Sequence, residues 1–354
     1  MSVMSYSTIS RTQAIPLVED VACNLCGSSR RVDRFSFDLS IGTVKLVRCT
    51  DCGLHFLSPR PVLAELGRFY PADYYSFKDP SPPDPAPNAS FKQRLRETVL
   101  ADQLSYATQN GMSRVKIPSL ATRPLKTLVG LPAAKPGGAL LDIGCGSGTK
   151  LLELRRLGWT VTGLEISESA ASAGRSHGLE IVCGSVDDLL AQGRAFDAIT
   201  MYHALEHMPD PRRTLESVAK LLTPGGELLI VVPNFNSLER RIYGSRWPWL
   251  DVPVHLYHFE PAPLARLVQS AGLKIDHIAA NLAGHSEGYL PAWAPSVCGK
   301  LVHAGFLALN AALAGTGLSK AIMLSARRPP NPSTQTSDPG CSCNCANVRA
   351  RRNS

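Results

Sequence analysis

The residues with the clearest chemical character lie in the run 139–154, which reads ALLDIGCGSGTKLLEL. It begins as a short apolar segment of the length of a buried parallel strand, interrupted only by Asp142. Gly144, Gly146 and Gly148 follow, and then an apolar-periodic helical segment. Glycines at this spacing let backbone amides approach a ligand because no Cβ is in the way. The order of strand, glycine-rich turn and helix predicts the first unit of a nucleotide-type α/β site.

Asp142 indicates which cofactor the turn would take. It stands two positions before the first glycine, where a carboxylate would repel the phosphates of a dinucleotide. S-adenosylmethionine (SAM) carries no phosphate and presents an ammonium and a sulfonium group, which a carboxylate attracts. The sequence therefore predicts a SAM turn rather than an NAD turn, with a purely structural turn as the alternative.

Further acids follow the next predicted strands. Glu165 ends the predicted strand 159–164 and could accept hydrogen bonds from both ribose hydroxyls of an adenosine. Asp187 follows the strand 179–183 and could accept from the adenine amine, unless Asp188 does so instead. The predicted cofactor contacts are completed by three apolar or aromatic neighbours of these positions, Ile166, Val186 and Tyr202.

Histidines cluster after the fourth and fifth predicted strands, 196–202 and 227–233. Histidine is suited to act as a general base near neutral pH, and an acceptor hydroxyl or carbon acid would need one. A structural role is the alternative for each of them. The candidate bases, in order of preference, are His203 and His207, then His255 and His258; Trp247, Trp249 and Tyr257 could form flat apolar walls or belong to the core.

Four cysteines form two CxxC pairs near the N-terminus. Cys23 and Cys26 form one pair, Cys49 and Cys52 the other, and the residues between them alternate at period two around Gly42. This pattern predicts a β-hairpin joining two knuckles, the plan of a zinc ribbon. Four protein ligands leave no open position on Zn²⁺, so we expect a structural site. A nucleic-acid-binding ribbon is the alternative.

Strands alternating with helices from residue 139 to about 280 predict a parallel sheet covered on both faces. The expected fold is an α/β, doubly wound Rossmann-like methyltransferase sheet with an N-terminal zinc ribbon. The expected parts are a flexible N-terminus (1–20), the ribbon (21–58), a linker and helical lid (59–137), the SAM-binding domain (138–283), a C-terminal apolar helical segment (284–327) and a disordered basic tail (328–354).

Composition and cysteine usage predict the compartment of the protein and whether it contacts a membrane. The 354 residues carry a net charge of +8, part of it in the Pro/Ser-rich tail. The N-terminus lacks the pattern of a secretory signal, and the paired cysteines favour a reducing compartment, so we expect a cytoplasmic protein. The apolar stretch 299–318 is at the lower limit for a membrane span. We expect a buried or substrate-capping helix there, with peripheral contact to a lipid-linked substrate as the alternative.

The chain resembles the class I SAM-dependent methyltransferases. The motifs that carry the resemblance occur in the family's order: LLDIGCGSG, VTGLEIS, GSVDDL, FDAITMYHALEHMPDP and LLTPGGELLIVVPN. The resemblance implies that Asp142, Gly144 and Gly146 hold the methionine part, Glu165 the ribose and Asp187 the adenine edge. Ser185 departs from the pattern, because many relatives carry an acid there.

The ribbon and the segment DVPVHLYHFEPAPLARLVQSAGL look like a bacterial subgroup with an N-terminal zinc-binding module. That subgroup is associated with sugar, polysaccharide or natural-product modification. The resemblance therefore implies O- or C-methylation of a small molecule, a sugar or lipid-linked saccharide. The alternatives are an RNA or protein methyltransferase guided by the ribbon, and a non-catalytic SAM-binding regulator. The absence of an N-P-P-Y signal after the fourth strand counts against nucleic acid as the acceptor.

Overall fold

The structure is a computed structural model that describes residues 17–70, 80, 91–107, 114–122, 129–281 and 317–330. Its strands are β1 (Val18–Glu19), β2 (Arg31–Leu39), β3 (Gly42–Cys49), β4 (His55–Leu57), β5 (Arg60–Pro61), β6 (Ala139–Ile143), β7 (Thr160–Glu165), β8 (Glu180–Cys183), β9 (Phe196–Tyr202), β10 (Leu222–Pro233), β11 (Tyr257–His258), β12 (Lys274–Asn281) and β13 (Ala321–Arg327).

The helices are α1 (Leu63–Leu66), α2 (Phe91–Leu104), α3 (Ser119–Thr122), α4 (Thr149–Arg156), α5 (Glu168–Ser176), α6 (Val186–Ala191), α7 (Pro211–Leu221), α8 (Leu238–Tyr243) and α9 (Pro261–Ser270). Local sequence explains several of the ends. Asp210 caps α7 by accepting from the amide of Arg213, and Pro211 occupies the first turn, where its missing N–H has no cost. Ser167 caps α5 in the same way through the amide of Ala170.

The central sheet has seven strands in the order β12-β13-β10-β9-β6-β7-β8. Strands β8, β7, β6, β9 and β10 run parallel to their neighbours, whereas β13 runs antiparallel to both β10 and β12. The chain order reverses between β6 and β9, and ligands of open α/β sheets bind outside the carboxyl ends of the strands at such a switch point. This confirms the predicted doubly wound α/β fold. The parallel strands are almost wholly buried, because helices cover both faces.

Strand β13 corrects one expectation from the sequence. Residues 284–327 were expected to be helical, but Ala321–Arg327 is a strand inserted between β10 and β12. Its seven residues are apolar except at its end and are too few to distinguish a strand from a buried helix by periodicity. Pairing decides the outcome, because β13 supplies backbone partners to β10 along its length from Glu227 to Pro233.

Other boundaries differ slightly from those expected. Within the expected helical lid, α2 ends at Leu104. The strand expected over 227–233 is part of a longer strand, Leu222–Pro233, whose register with β9 shifts between Leu222 and Glu227. Expectations for 1–16, most of the linker, 282–316 and 331–354 lie outside the described residues. Within the described part of the chain, no helix combines the length and apolar character of a bilayer span.

The four-cysteine module shares its sheet and its core with the rest of the chain. Its sheet has the order β11-β4-β3-β2, so a strand from after β10 closes it. Tyr257 pairs with Phe56 and His258 with His55 across β11 and β4. The ring of Phe56, 1% exposed, stacks on Tyr257 with centroids 6.4 Å apart. One continuous core joins the module to the central sheet.

Because the core is shared, we predict that Phe56→Ala lowers the free energy of unfolding of the whole chain by about 3–5 kcal/mol, in one transition. Chemical denaturation followed by circular dichroism and by tryptophan fluorescence would measure it. Phe35→Ala, on the half-buried face of β2, is the control and should cost clearly less. Two separate transitions, of which Phe56→Ala shifts only one, would contradict the shared core.

Candidate active site

The glycine-rich turn lies at the carboxyl end of β6. Gly144, Gly146 and Gly148 all have left-handed backbone angles, with φ of 72°, 55° and 91°, which side chains other than glycine adopt at a cost. A Cβ on Gly144 would lie 2.8 Å from the Cβ of Ala204. The amide of Gly144 donates to the carbonyl of Leu164 on the neighbouring strand, at 2.8 Å. The turn is therefore fixed between β6 and β7 and requires glycine.

Glu165 joins this turn to the end of β7. Its Oε2 accepts the amide of Gly146 at 2.9 Å, and its Oε1 accepts the amides of Ile166 and Ser167, both at 2.9 Å. Two carboxylate oxygens offer about four acceptor positions, so one position stays available to a ligand. Glu165 is 7% exposed, and the Ile166 side chain next to it is 87% exposed, the highest value among the large hydrophobic residues described. A buried carboxylate beside an open apolar side chain suits a ribose and its base.

Asp142 lies at the centre of the sheet, 2% exposed. The hydroxyl of Thr200 on β9 donates to its Oδ1 at 2.6 Å. Burial raises the pKa of Asp142 to about 7, although the Thr200 hydroxyl and the Lys150 ammonium oppose this. A carboxyl group of this kind gains its charge most easily when a cation arrives beside it.

Asp187 and Asp188 make contacts of their own. The Asp187 oxygens accept from Arg213, at 2.8 Å, and from Ser217, at 2.9 Å, both on α7. Asp188 accepts from the amide and hydroxyl of Ser185 and so caps its own helix. Both oxygens of Asp187 are thus engaged by α7, and its contact with adenine stays a prediction. Val186 is buried at the start of the same helix.

Tyr202 and His203 end β9 at the same edge of the sheet. The Tyr202 hydroxyl donates to the carbonyl of Gly130 at 2.7 Å, and the Lys150 ammonium lies 5.2 Å from its ring centroid. His203 has a left-handed φ of 50°, unusual for a histidine. Its ring stacks on Trp249 with centroids 5.3 Å apart, and its side chain is 16% exposed. Of the four candidate histidines, His203 has the contacts expected of a base.

Glu206 is the acid that orients these rings. Its Oε1 lies 3.3 Å from Nδ1 of His203, while its Oε2 is buried without a hydrogen-bond partner in the described part of the chain. Burial would raise the pKa of Glu206, but the hydrogen bond with His203 holds it below its ordinary value. Glu206 is therefore an ionised, buried carboxylate.

His207 and His255 face each other beside Glu206, with ring centroids 4.6 Å apart. Nδ1 of His207 lies 3.2 Å from the carbonyl of Val254, and Nδ1 of His255 lies 2.9 Å from that of Trp249. Burial lowers the pKa of His207 to about 4 and also lowers that of His255. Both rings are neutral at neutral pH.

The remaining aromatic candidates lie deeper. His258 is 3% exposed, lies between Phe235 and His255, and burial lowers its pKa well below the ordinary value. Trp247 and Tyr257 are also buried, so they form core rather than an open wall. Among the three predicted walls, Trp249 is the one that meets a candidate base.

The four cysteines converge as predicted. Their sulfur atoms all lie within 4.8 Å of one another, with Cys23 and Cys52 3.3 Å apart and Cys26 and Cys49 3.6 Å apart. Each knuckle ends in a left-handed glycine whose amide donates to the carbonyl of the first cysteine. Burial raises the pKa of Cys23 and brings that of Cys52 to about 11. These four thiols could hold a metal ion.

Three residues near the histidines were absent from the sequence-based site. Glu206 lies between His203 and His207 in the sequence, the Tyr70 hydroxyl lies 3.2 Å from Nδ1 of His207, and an Asp251 carboxylate oxygen lies 3.9 Å from Nε2 of His255. The short spacing HALEH gave a signal for Glu206. Tyr70 and Asp251 arrive from distant segments, and no local pattern indicates them.

Comparisons with known proteins address the family. Residues 116–278 match the family model described as a methyltransferase domain. The ubiquinone biosynthesis O-methyltransferase of Xanthomonas axonopodis pv. citri (strain 306) is 33% identical over 162 residues, which cover 42% of this chain and 68% of that protein. The chain belongs to the SAM-dependent methyltransferases. A protein of the same name from Coxiella burnetii (strain Dugway 5J108-111) is 30% identical over 151 residues, 39% of this methyltransferase and 64% of that protein.

Solved structures share less sequence identity with this chain than these relatives do. A SAM-dependent methyltransferase from Mesorhizobium loti is 19% identical, with a TM-score of 0.42 over 58% of this chain and 96% of that chain. Magnesium protoporphyrin IX methyltransferase from Synechocystis, solved with bound SAM, is 16% identical, with a TM-score of 0.35 over 55% and 71%.

The raised pKa of Asp142 predicts how stability of this methyltransferase depends on pH. Its folded pKa of about 7 exceeds the usual value of 3.8, so its contribution is fully present below pH 4 and is lost as pH rises through 7. Asp142→Asn should therefore gain stability over the wild type between pH 4 and 8, by on the order of 4 kcal/mol at most. Thermal melts of the wild type and the variant at pH 4 and pH 8 would measure this difference. A constant difference across this range would contradict the assignment.

Proposed function

We propose that this methyltransferase transfers the methyl group of SAM to a hydroxyl oxygen of a small molecule, with His203 as the general base. The observation that carries the proposal is the pairing of His203 with Glu206 at the carboxyl end of β9, 3.3 Å apart. A carboxylate at Nδ1 favours the tautomer that leaves the lone pair on Nε2, the arrangement found behind many catalytic histidines.

The cofactor would be held by the residues around the glycine turn. When bound, SAM supplies an activated methyl group on a positively charged sulfur. Glu165 has an acceptor position left for the ribose, and Asp142 lies where a cationic ligand would favour its ionised form. The exposed Ile166 would pack on the adenine. The roles of Val186, Asp187 and Tyr202 stay predictions.

The chain's own task is to move one proton and exclude water. Nε2 of His203 would take the hydroxyl proton while the oxygen's electron pair forms the bond to the methyl carbon. The carbon–sulfur bond breaks with its electrons going to sulfur, which gives S-adenosylhomocysteine. Glu206 stabilises the imidazolium that forms, and Trp249 holds the ring by stacking.

The curated relatives support oxygen as the acceptor atom, since both proteins named above are O-methyltransferases. They lend no support to the sugar or lipid-linked saccharide expected from the sequence. The aligned region spans about two thirds of their length, so the acceptor of this chain is a proposal. A flat-ring hydroxyl is favoured by Trp249, the partly exposed aromatic residue next to His203.

We also propose structural zinc in the four-cysteine module. Tetrahedral Zn–S bonds of about 2.3 Å place sulfurs about 3.8 Å apart, near the separations found between the paired cysteines. The module also contacts the segment after the histidines. Asn24 bonds both Asp210 and the amide of Arg212, and Arg60 donates to the carbonyl of Pro209. The metal would thereby hold the loop that carries Glu206 and His207.

A nucleic-acid acceptor has less support. Three basic residues, Arg30, Arg31 and Arg34, follow the first cysteine pair and favour it, but Arg30 pairs with Asp51 at 2.5 Å and Arg31 with Asp20 at 2.6 Å. Paired cations contribute little to a basic binding surface. Weak, salt-insensitive binding of single-stranded RNA would agree with this.

We predict that His203→Ala lowers kcat at least about 100-fold while the SAM dissociation constant stays within twofold. The assay is labelled-methyl transfer with the acceptor identified by screening phenolic, sugar and lipid-linked hydroxyl compounds. His177→Ala, an exposed histidine at the end of α5, is the control. Product methylated only on carbon or nitrogen, or an unchanged kcat, would contradict the proposal.

For the zinc site, we predict that the protein retains one tightly held zinc that Cys23→Ser or Cys49→Ser removes. Loss of the metal should lower the melting temperature and weaken acceptor binding, since the Asn24 contacts would loosen. Elemental analysis and thermal melts would measure both effects, and Cys183→Ser, an exposed cysteine outside the module, is the control. Zinc content that survives both substitutions would contradict the site.

A further inference from the structure

Glu206, His207 and His255 form a second group of potential metal ligands, separate from the cysteines. One ligand atom of each lies within 4.8 Å of the others. Glu206 and His255 are 1% and 4% exposed, and His207 is half-buried. The three residues come from the segment after β9 and the loop before β11, so the fold rather than local sequence brings them together.

The hydrogen bonds of the two imidazoles fix where their lone pairs lie. A backbone carbonyl can only accept, so the Trp249 carbonyl places the proton of His255 on Nδ1. Nδ1 of His207 lies 3.2 Å from both the Val254 carbonyl and the Tyr70 hydroxyl, and the carbonyl favours a proton there, with the hydroxyl oxygen as a second acceptor. In a neutral ring Nε2 then has a free lone pair. Histidines that bind metals have this arrangement, with the second ring nitrogen donating to a carbonyl or carboxylate.

Glu206 adds a negative charge and another unused acceptor. Its Oε1 is engaged by His203, and its Oε2 is the buried oxygen without a partner. The Asp251 carboxylate is a further acceptor, 3.9 Å from Nε2 of His255. Acceptors grouped without a donor repel one another, and a buried, unpaired carboxylate oxygen is costly. A bound cation would resolve both problems.

We propose that Glu206, His207 and His255 bind a divalent transition-metal ion of the Zn²⁺ or Co²⁺ type. Two imidazole nitrogens favour such ions over Mg²⁺ and Ca²⁺, which prefer all-oxygen sites. Three protein ligands leave coordination positions open, as in catalytic rather than structural sites. The second oxygen of Glu206 connects the ion to His203.

This arrangement suggests which acceptors the site takes. A hydroxyl oxygen bound to the ion would lose its proton to His203 more easily, since metal ions lower the pKa of bound oxygens. Acceptors with two neighbouring oxygens, which can chelate, would be preferred. This role in catalysis rests on the function proposed above, whereas binding of the ion does not.

The test titrates Co²⁺ into the full-length protein loaded with a single equivalent of Zn²⁺, an amount that fills the cysteine module and leaves the Glu206 group empty. We expect one equivalent to bind with the absorption of a nitrogen- and oxygen-ligated ion, without the thiolate charge-transfer bands of the cysteine site. Histidine NMR should show His207 and His255 broadened by the paramagnetic ion while the exposed His177 is not. This measurement on the wild type needs no variant and no acceptor.

Variants then assign the ligands. Glu206→Gln and His255→Gln should each weaken Co²⁺ binding by more than the roughly 10–100-fold typical of losing a group behind a ligand. His258→Gln removes an equally buried imidazole just outside the group, and this variant should still bind one equivalent of Co²⁺. No second equivalent at millimolar Co²⁺, or binding that both Glu206→Gln and His255→Gln leave intact, would overturn the site. Methyl transfer at full rate without the ion would overturn only its role in catalysis.

Discussion

Three carboxylates are buried at the edge where the parallel strands end, and the site is organised by what each of them requires. Burying a charge is costly unless hydrogen bonds or an opposite charge compensate it. Glu165 is compensated by three backbone amides, which also fix the glycine turn. Asp142 has a hydroxyl and stays close to neutral, and Glu206 has one histidine and one unused oxygen.

These differences in hydrogen bonding and charge correspond to the roles proposed for the three acids. Glu165 is already nearly satisfied, which suits a residue that positions neutral ribose hydroxyls. Asp142 gains most from a nearby positive charge, which is what SAM brings. Glu206 keeps its charge but has one buried oxygen without a hydrogen-bond partner among the described residues, and the cation proposed beside it would complete its bonding. The cysteine module supports this last residue through contacts to Pro209 and Asp210, so an element at the beginning of the chain stabilises the side of the cleft proposed for the acceptor.

Local pattern was sufficient to predict the central sheet and the cysteine cluster. A strand interrupted by one acid, three glycines and two CxxC pairs are short-range signals whose physical meaning does not depend on distant residues. Strand β13 was missed because its seven residues, apolar except for Ser325 and Arg327, have no distinctive period, and its place between β10 and β12 depends on pairing. The shared sheet of β4 and β11 was missed for the same reason. Glu206 lay within the sequence HALEH, but its burial between three histidines depends on the loop that brings His255 to it.

The central claim is that the buried acids at this edge bind SAM and leave the histidine cluster to the acceptor. A crystal structure of the protein with S-adenosylhomocysteine tests it most directly. We expect a ribose hydroxyl on Glu165, the amino group of the ligand beside the glycine turn near Asp142, and its sulfur directed towards His203. A ligand bound away from Glu165, or with its sulfur directed away from the histidines, would contradict the account.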